Sequence, residues 1–228
     1  MKISKIKYSS KVFRPTGTSD LLYKSVIKYI KKPVKLLDLG CGSGYVGIQI
    51  AKSIKYKSHF FFSDISVEAT KLAEINISKN KIHGLVKNGS LFLPWKGYKF
   101  DIIVDDVSGI SQEISSISPW YNKNIPNFSG IDGTDLTIKF LDQAGDYLND
   151  RGLIFFPIIS LSDSKKVMNF AKKKFNFLKK IISKNWPLPK QMSKHIDLID
   201  KLHEKKLIFI KKKFGLIVFK TDIYLAKV

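Results

Sequence analysis

Cysteine is nearly absent from this chain: Cys41 is the only one in 228 residues. No disulfide can close within the chain, and a single thiol fits a reducing cytoplasm, the expected location. Arginine is almost as scarce, with Arg14 and Arg151 alone. No apolar run approaches the ~20 residues of a membrane-spanning helix, so no membrane partner is expected. The opening MKISKIKYSSKVF lacks the apolar core of a signal peptide. His59, His83, His195 and His203 show no ligand spacing, so no metal site is expected and packing or surface roles suit them. No internal repeat or low-complexity linker stands out.

Lysine is what the chain has in excess, giving a net charge of +21. A surface built to grip phosphates or bases in bidentate fashion would use more arginine. The chain is also rich in Ile, Asn and Phe, the residue choice of an AT-rich genome, which accounts for much of the lysine. Charge alone therefore does not establish an acidic or polyanionic partner. A hydrophobic content of 44% with 12% aromatics is that of a folded chain with a substantial core. The length suits one α/β domain over 1–228, with 186–228 as a C-terminal helix and hairpin elaboration.

Short apolar runs alternate with helical patterns. VKLLDLG, HFFFSD, HGLVKNGSLF, YKFDIIVDD, RGLIFFPII and FLKKIIS read as strands. GYVGIQIAKSI, SVEATKLAEINISKN (Ser66 as N-cap), GTDLTIKFLDQAGDYL and SDSKKVMNFAKKKF read as helices. An irregular stretch runs from Val107 to about Asp132. The tail holds WPLP, a helical pattern from about Gln191 to Glu204, and a hairpin in LIFIKKKFGLIVFKTDIYLAKV. This alternation predicts a parallel sheet covered on both faces.

The run LLDLGCGSGYVG carries the chemistry. A glycine turn between a buried strand and a helix lets a ligand approach the backbone, and the helix N-terminus favours negative charge. Gly42, Gly44 and Gly47 satisfy the dinucleotide pattern G-x-G-x-x-G, a weak signal alone. A second reading starts at Asp38 and takes Gly40, Gly42 and Gly44. A carboxylate before the first glycine would repel a pyrophosphate and attract a sulfonium and ammonium. Asp64, ending the next strand, suits ribose hydroxyls in either reading. A plain tight strand–helix turn is the third.

LLDLGCGSGYVGIQIA followed by FFSDIS resembles motifs I and II of the class I S-adenosylmethionine-dependent methyltransferases, over roughly residues 10 to 160. VFRPTGTSDLL resembles the segment before motif I in the release-factor glutamine methyltransferase and small-domain RNA methyltransferase group. There the residues matching Thr18 and Ser19 close over the methionine end of the cofactor. KNGSLF resembles the group's stretch beside the adenine, which makes Asn88 and Ser90 candidates for that pocket. The resemblance implies a Rossmann-like α/β fold of about seven mostly parallel strands with an antiparallel strand near the C-terminus. It also implies S-adenosyl-L-methionine as cofactor, held by Thr18, Asp38, Gly40, Gly42, Gly44, Asp64, Asn88 and Ser90.

The resemblance breaks after FDIIV. Amino-methylating members carry Asn-Pro-Pro-Tyr there; this chain reads Asp105-Asp106-Val107-Ser108-Gly109. Asp106 occupies the Asn position, where it could accept a hydrogen bond from the acceptor or act as general base, with Asp105 as the second catalytic candidate. Trp120 and Tyr121, in SPWYNKNIPNFSGIDGTD, are candidates for an acceptor-binding wall, since long loops in compact domains are often functional. The function expected is methyl transfer to a protein or RNA group. Methylation of a small metabolite and non-catalytic binding of a nucleotide cofactor are the alternatives.

Overall fold

The computed structural model describes residues 5–107, 109–125 and 127–228. Ser108 of the Asp105–Gly109 run, Pro126 of the aromatic loop and the first four residues of the MKIS opening lie outside them. In chain order the elements are α1 (Gly17–Val26), β1 (Lys35–Leu39), α2 (Tyr45–Ser53), β2 (His59–Asp64), α3 (Val67–Lys79), β3 (Gly84–Asn88) and β4 (Phe100–Asp105). There follow α4 (Gln112–Ile117), α5 (Asp135–Ala144), β5 (Leu148–Ile159), α6 (Ser164–Lys174), β6 (Phe177–Pro187), α7 (Ile196–Glu204), β7 (Lys211–Lys213) and β8 (Leu216–Lys227).

The strands form one sheet in the order β3-β2-β1-β4-β5-β8-β6. Pairing is parallel from β3 through β5. β8 runs antiparallel between β5 and β6, and β7 pairs with its first residues. This is the doubly wound, mostly parallel sheet expected of the class I methyltransferase fold. The segment after Trp186 divides in two: Leu216–Lys227 is an interior strand of the sheet, while residues 188–215 pack beside it.

Successive strand residues point to opposite faces, so a strand buried on both sides must be apolar throughout. Leu36, Val104, Phe155 and Ile223 meet Leu22, Ile48 and Ile77 of α1, α2 and α3 on one face. Leu37, Leu39, Ile103 and Phe156 meet Phe140, Leu141, Val167 and Ala171 of α5 and α6 on the other. A third cluster lies at the C-terminal end of the strands. There Ile110 and Ile114 of the β4–α5 connection pack with Leu161, Met192, Ile199, Leu202, Ile208 and Phe219.

Two helices fall where the sequence pattern is weak. α1 begins with a capping box: Thr16 Oγ1 accepts from Thr18 N–H at 3.2 Å, and Thr16 N–H donates to Ser19 Oγ at 3.4 Å. α4 is a six-residue helix inside the stretch that reads as irregular.

Candidate active site

The turn after β1 is held by two carboxylates. Gly44, the N-cap of α2, has φ of 77° and no side chain to accept from the helix's first N–H groups. Asp38 supplies the missing acceptor from beneath, its Oδ2 taking the Gly47 N–H at 2.8 Å. It is fully buried, and its Oδ1 has no hydrogen-bond partner among the described residues. Burial is the chief cause that lifts its pKa to about 7, against the opposing Gly47 bond and with help from the charge of Asp64.

Asp64 ties the end of β2 to the glycine turn. Its Oδ2 accepts from Gly42 N–H at 2.9 Å and its Oδ1 from Ser66 N–H at 2.9 Å. Each oxygen keeps a lone pair for another donor. Burial raises its pKa too, against the bonds from Ser66 and Gly42. Gly40 has a positive φ of 73°, and a Cβ there would stand 2.7 Å from Val107 Cγ1. The turn therefore presses against the residues after β4 and admits no side chain at Gly40.

β4 delivers the two remaining acids in different directions. Asp105 is buried, its Oδ1 accepting from Val107 N–H at 3.0 Å, and burial is the main cause that raises its pKa to about 8. Asp106 instead lines the cavity. Its N–H donates to Leu39 O at 3.1 Å, and its Oδ2 accepts from Ser19 Oγ at 3.0 Å. Desolvation, then the charges of Asp38, Asp105 and Asp64, hold its carboxyl well above the usual range, against the Ser19 bond.

These elements surround a cavity of about 480 Å³ across the C-terminal ends of β1, β2 and β4. At one end Asp64, Ile65, Ser90 and Leu91 line it; Thr18, Gly40, Gly42 and Asp106 stand further along. Beyond them the wall is apolar and aromatic, with Trp120, Tyr121, Phe128, Leu161, Trp186 and Phe219. Trp120 meets Phe219 edge to face at 5.7 Å, and Tyr121 meets Phe13 at 5.1 Å.

Of the residues singled out in the sequence, the structure brings Thr18, Gly40, Gly42, Asp64, Ser90, Asp106, Trp120 and Tyr121 to this cavity. Asp38 and Gly44 lie behind the turn, and Asp105 faces away. Asn88 is exposed, and its Nδ2 donates to the carbonyls of Asp64 and Ile65, both at 3.0 Å, which braces the β2–α3 turn. No group of three His, Cys, Asp or Glu among the described residues could hold a metal ion.

Trp186 reaches the cavity from β6, far along the chain. Its Nε1 donates to Thr221 Oγ1 at 3.2 Å, and Thr18 Oγ1 stands 3.2 Å from the same oxygen. Its ring lies so close over Gly17 that a Cβ there would come within 2.3 Å of Cη2. β6 and β8 thereby fasten the start of α1 over the cavity. The WPLP run, which begins inside β6, marks this stretch in the sequence, but a contact with Gly17 has no sequence signature.

Residues 12–106 match the family described as methyltransferase small domain. Release factor glutamine methyltransferase of Borreliella burgdorferi is 35% identical over 154 residues, covering 64% of this chain and 52% of that protein. Its counterpart from Thermodesulfovibrio yellowstonii is 29% identical over 180 residues, covering 73% of this chain and 62% of that protein. The chain thus spans between about half and two thirds of these relatives. Among solved structures, a T. Thermophilus 16S rRNA methyltransferase in complex with AdoMet and guanosine superposes with a TM-score of 0.59 at 13% identity, over 95% of this chain and 45% of that one. At that identity the likeness speaks for the fold.

Proposed function

We propose that this chain, which has the class I methyltransferase fold and carries a methyltransferase small domain over residues 12–106, transfers a methyl group from S-adenosyl-L-methionine to a group on a protein or an RNA. The observation that carries this reading is uncompensated acid around the glycine turn. Asp64 helps to raise the pKa values of Asp38 and Asp106, and Asp38 those of Asp105 and Asp106, yet none of the four has an ion-pair partner among the described residues. Lys11, which is exposed, is the only cation among the described lining residues. A dinucleotide pyrophosphate would find no countercharge there and would push the acids further toward their neutral forms, whereas a sulfonium with its ammonium would favour their ionisation and be attracted by it.

The residues present fit that cofactor. Asp64 has lone pairs left for ribose hydroxyls, Ile65, Leu91 and Ser90 offer a mostly apolar slot for a base, and Asp38 leaves one carboxylate oxygen unpartnered beneath the turn. When bound, the cofactor supplies a methyl group on positively charged sulfur, which takes back the C–S electron pair as the acceptor attacks. Everything else falls to the chain. Asp106 accepts a hydrogen bond from the acceptor nucleophile and takes the proton it loses. Ser19 fixes the orientation of that carboxyl through Oδ2, and the apolar wall excludes water and aligns the acceptor. The solitary cysteine suits the reducing cytoplasm where such acceptors reside, and no helix among the described residues is long and apolar enough to cross a membrane.

A small-metabolite acceptor is the second reading, supported by the aromatic wall of Trp120, Tyr121, Trp186 and Phe219, which could take a compact, flat molecule. Calorimetric titration tests the assignment: S-adenosyl-L-methionine should bind and a nicotinamide dinucleotide should not. Tighter binding of the dinucleotide would refute it.

A further inference from the structure

The hairpin joining β7 to β8 reads Lys211-Lys212-Lys213-Phe214-Gly215-Leu216, and the methyl-transfer site does not use it. Lys213 pairs with Leu216, which leaves Phe214 and Gly215 as a two-residue loop. Both have positive φ, 47° and 74°, the type I′ pattern that favours Asn-Gly. A phenylalanine there is strained. The residue is 99% exposed, so no packing among the described residues offsets the strain. Leu216 beside it is 56% exposed, and all three lysines are exposed. Lys212 has an acidic neighbour, Asp200 of α7, at 3.3 Å; no ion pair is formed by Lys211 or Lys213 among the described residues.

The hairpin is also placed to matter. β8 leads from its tip directly to the site, since Phe219 lines the cavity and Thr221 holds Thr18 and Trp186. At ~3.3 Å per residue the tip stands about 16 Å along the strand from Phe219. Leu188, another lining residue, donates its N–H to Ile217 O at 2.9 Å, so the hairpin base is part of the aromatic end of the cavity.

We propose that residues 211–216 form a finger that binds single-stranded nucleic acid beside the cavity, with Phe214 stacking on an unpaired base and Lys211 and Lys213 meeting phosphates. The methyl acceptor is then a nucleotide of that strand; this last step rests on the methyl-transfer reading, and the binding itself does not. Aromatic stacking is sequence-tolerant, and lysines provide point charges rather than base-reading forks, which agrees with a chain of +21 and two arginines. A membrane surface is less well matched, because one ring and one leucine on a two-residue turn would insert little apolar area. A protein partner would be expected to pair the lysines with acids, and would leave oligonucleotide affinity absent.

Fluorescence anisotropy with a labelled 12-nucleotide RNA, and with DNA of the same sequence, tests the finger. Phe214→Asn relieves the turn, so this variant should melt at or above the wild-type temperature and bind S-adenosyl-L-methionine as the wild type does. Its oligonucleotide affinity should fall by roughly 5- to 100-fold, the scale of one lost stacking contact. Lys211→Gln with Lys213→Gln should flatten the slope of log affinity against log salt by about 1.4, as expected for two phosphate contacts on a single strand. The RNA and DNA arms distinguish the source of the strand. Absence of wild-type binding at low salt overturns the proposal. So does unchanged affinity in Phe214→Asn, or binding confined to phosphatidylserine vesicles or an acidic peptide. Normal oligonucleotide binding without cofactor binding would instead remove the methyl-transfer reading and leave the finger.

Discussion

Replacing Asp106 separates proton transfer from simple orientation. Its carboxyl lines the cavity, is held by Ser19 Oγ at 3.0 Å, and titrates well above the ordinary carboxylate range, chiefly through burial and then through Asp38. If it takes the acceptor's proton, Asp106→Asn should lower kcat by the ~100-fold to 10,000-fold of a lost general base. If it only accepts a hydrogen bond, Asn should keep most of the rate, and Ala should lose roughly 10- to 150-fold, the equivalent of ~1.5–3 kcal/mol for a hydrogen bond to a charged group. The pH profile gives an independent reading. Activity that needs the carboxylate disappears as pH falls through its raised folded-state pKa, so the acid limb should lie above the usual carboxylate range and vanish in Asp106→Asn. Ser19→Ala removes a bond that favours the charged form, so it should move that limb further upward. Transfer of a radiolabelled methyl group, measured from pH 5 to 9 alongside cofactor affinity, follows all of this. Wild-type turnover in both Asn and Ala variants would refute the assignment and move the acceptor site toward Trp120 and Tyr121.

Asp64→Ala should weaken S-adenosyl-L-methionine by about 10- to 100-fold in calorimetry, the scale of lost charged hydrogen bonds, and unchanged affinity would remove it from the ribose site. Asp105 is raised to about 8 in the folded state, so its contribution to stability is present below pH 4 and lost as pH rises through 8. Asp105→Asn, which keeps an acceptor for Val107 N–H, should therefore gain stability on the order of a few kcal/mol at pH 9 and little at pH 4; equal melting shifts at both pH values would contradict this. Gly17→Ala drives a methyl into Trp186 and should cost about 1–3 kcal/mol of overpacking, which a second change, Trp186→Ala, should partly restore in denaturant titrations; a purely additive double variant would refute the contact.

The strands and the glycine turn were legible because each rests on a local rule. An apolar run of five or six residues buried on both faces, followed by glycines at positive φ, has few other readings. The position of Asp64 at the cavity was legible for the same reason, since it ends HFFFSD and Ser66 caps the next helix. Asp38 was legible only in part. Its position before the first glycine suggested a ligand-facing charge, but the carboxylate first serves α2, whose N-cap Gly44 has no side chain to do so. Asn88 shows the opposite difficulty, since an exposed strand-end Asn reads equally well as a ligand contact or as a brace for a neighbouring turn. α1 was concealed because its signature, Thr16 with Ser19, lacks the Glu or Gln of the usual capping box. Contacts between distant segments, such as Trp186 on Gly17 or Thr221 beside Thr18, leave no local pattern at all.

The four acids around the turn also bear on why the fold tolerates so much negative charge in a chain of +21. Thirty-eight lysines are available, yet none forms an ion pair with Asp38, Asp64, Asp105 or Asp106 among the described residues. Pairing any of them would return its pKa toward normal, whereas unpaired and buried they favour the neutral form. The lysines instead lie on the surface, on β7 and along the edge strand β6. The proposed cationic cofactor would supply the missing countercharge only while it is bound, which would couple its affinity to the ionisation of the acids. Under the two proposals, an anionic strand at the surface lysines and a cation at the buried acids would be two separate electrostatic tasks. They adjoin at Phe219 and Trp186, which line the cavity, Phe219 standing on the strand that leads from the hairpin.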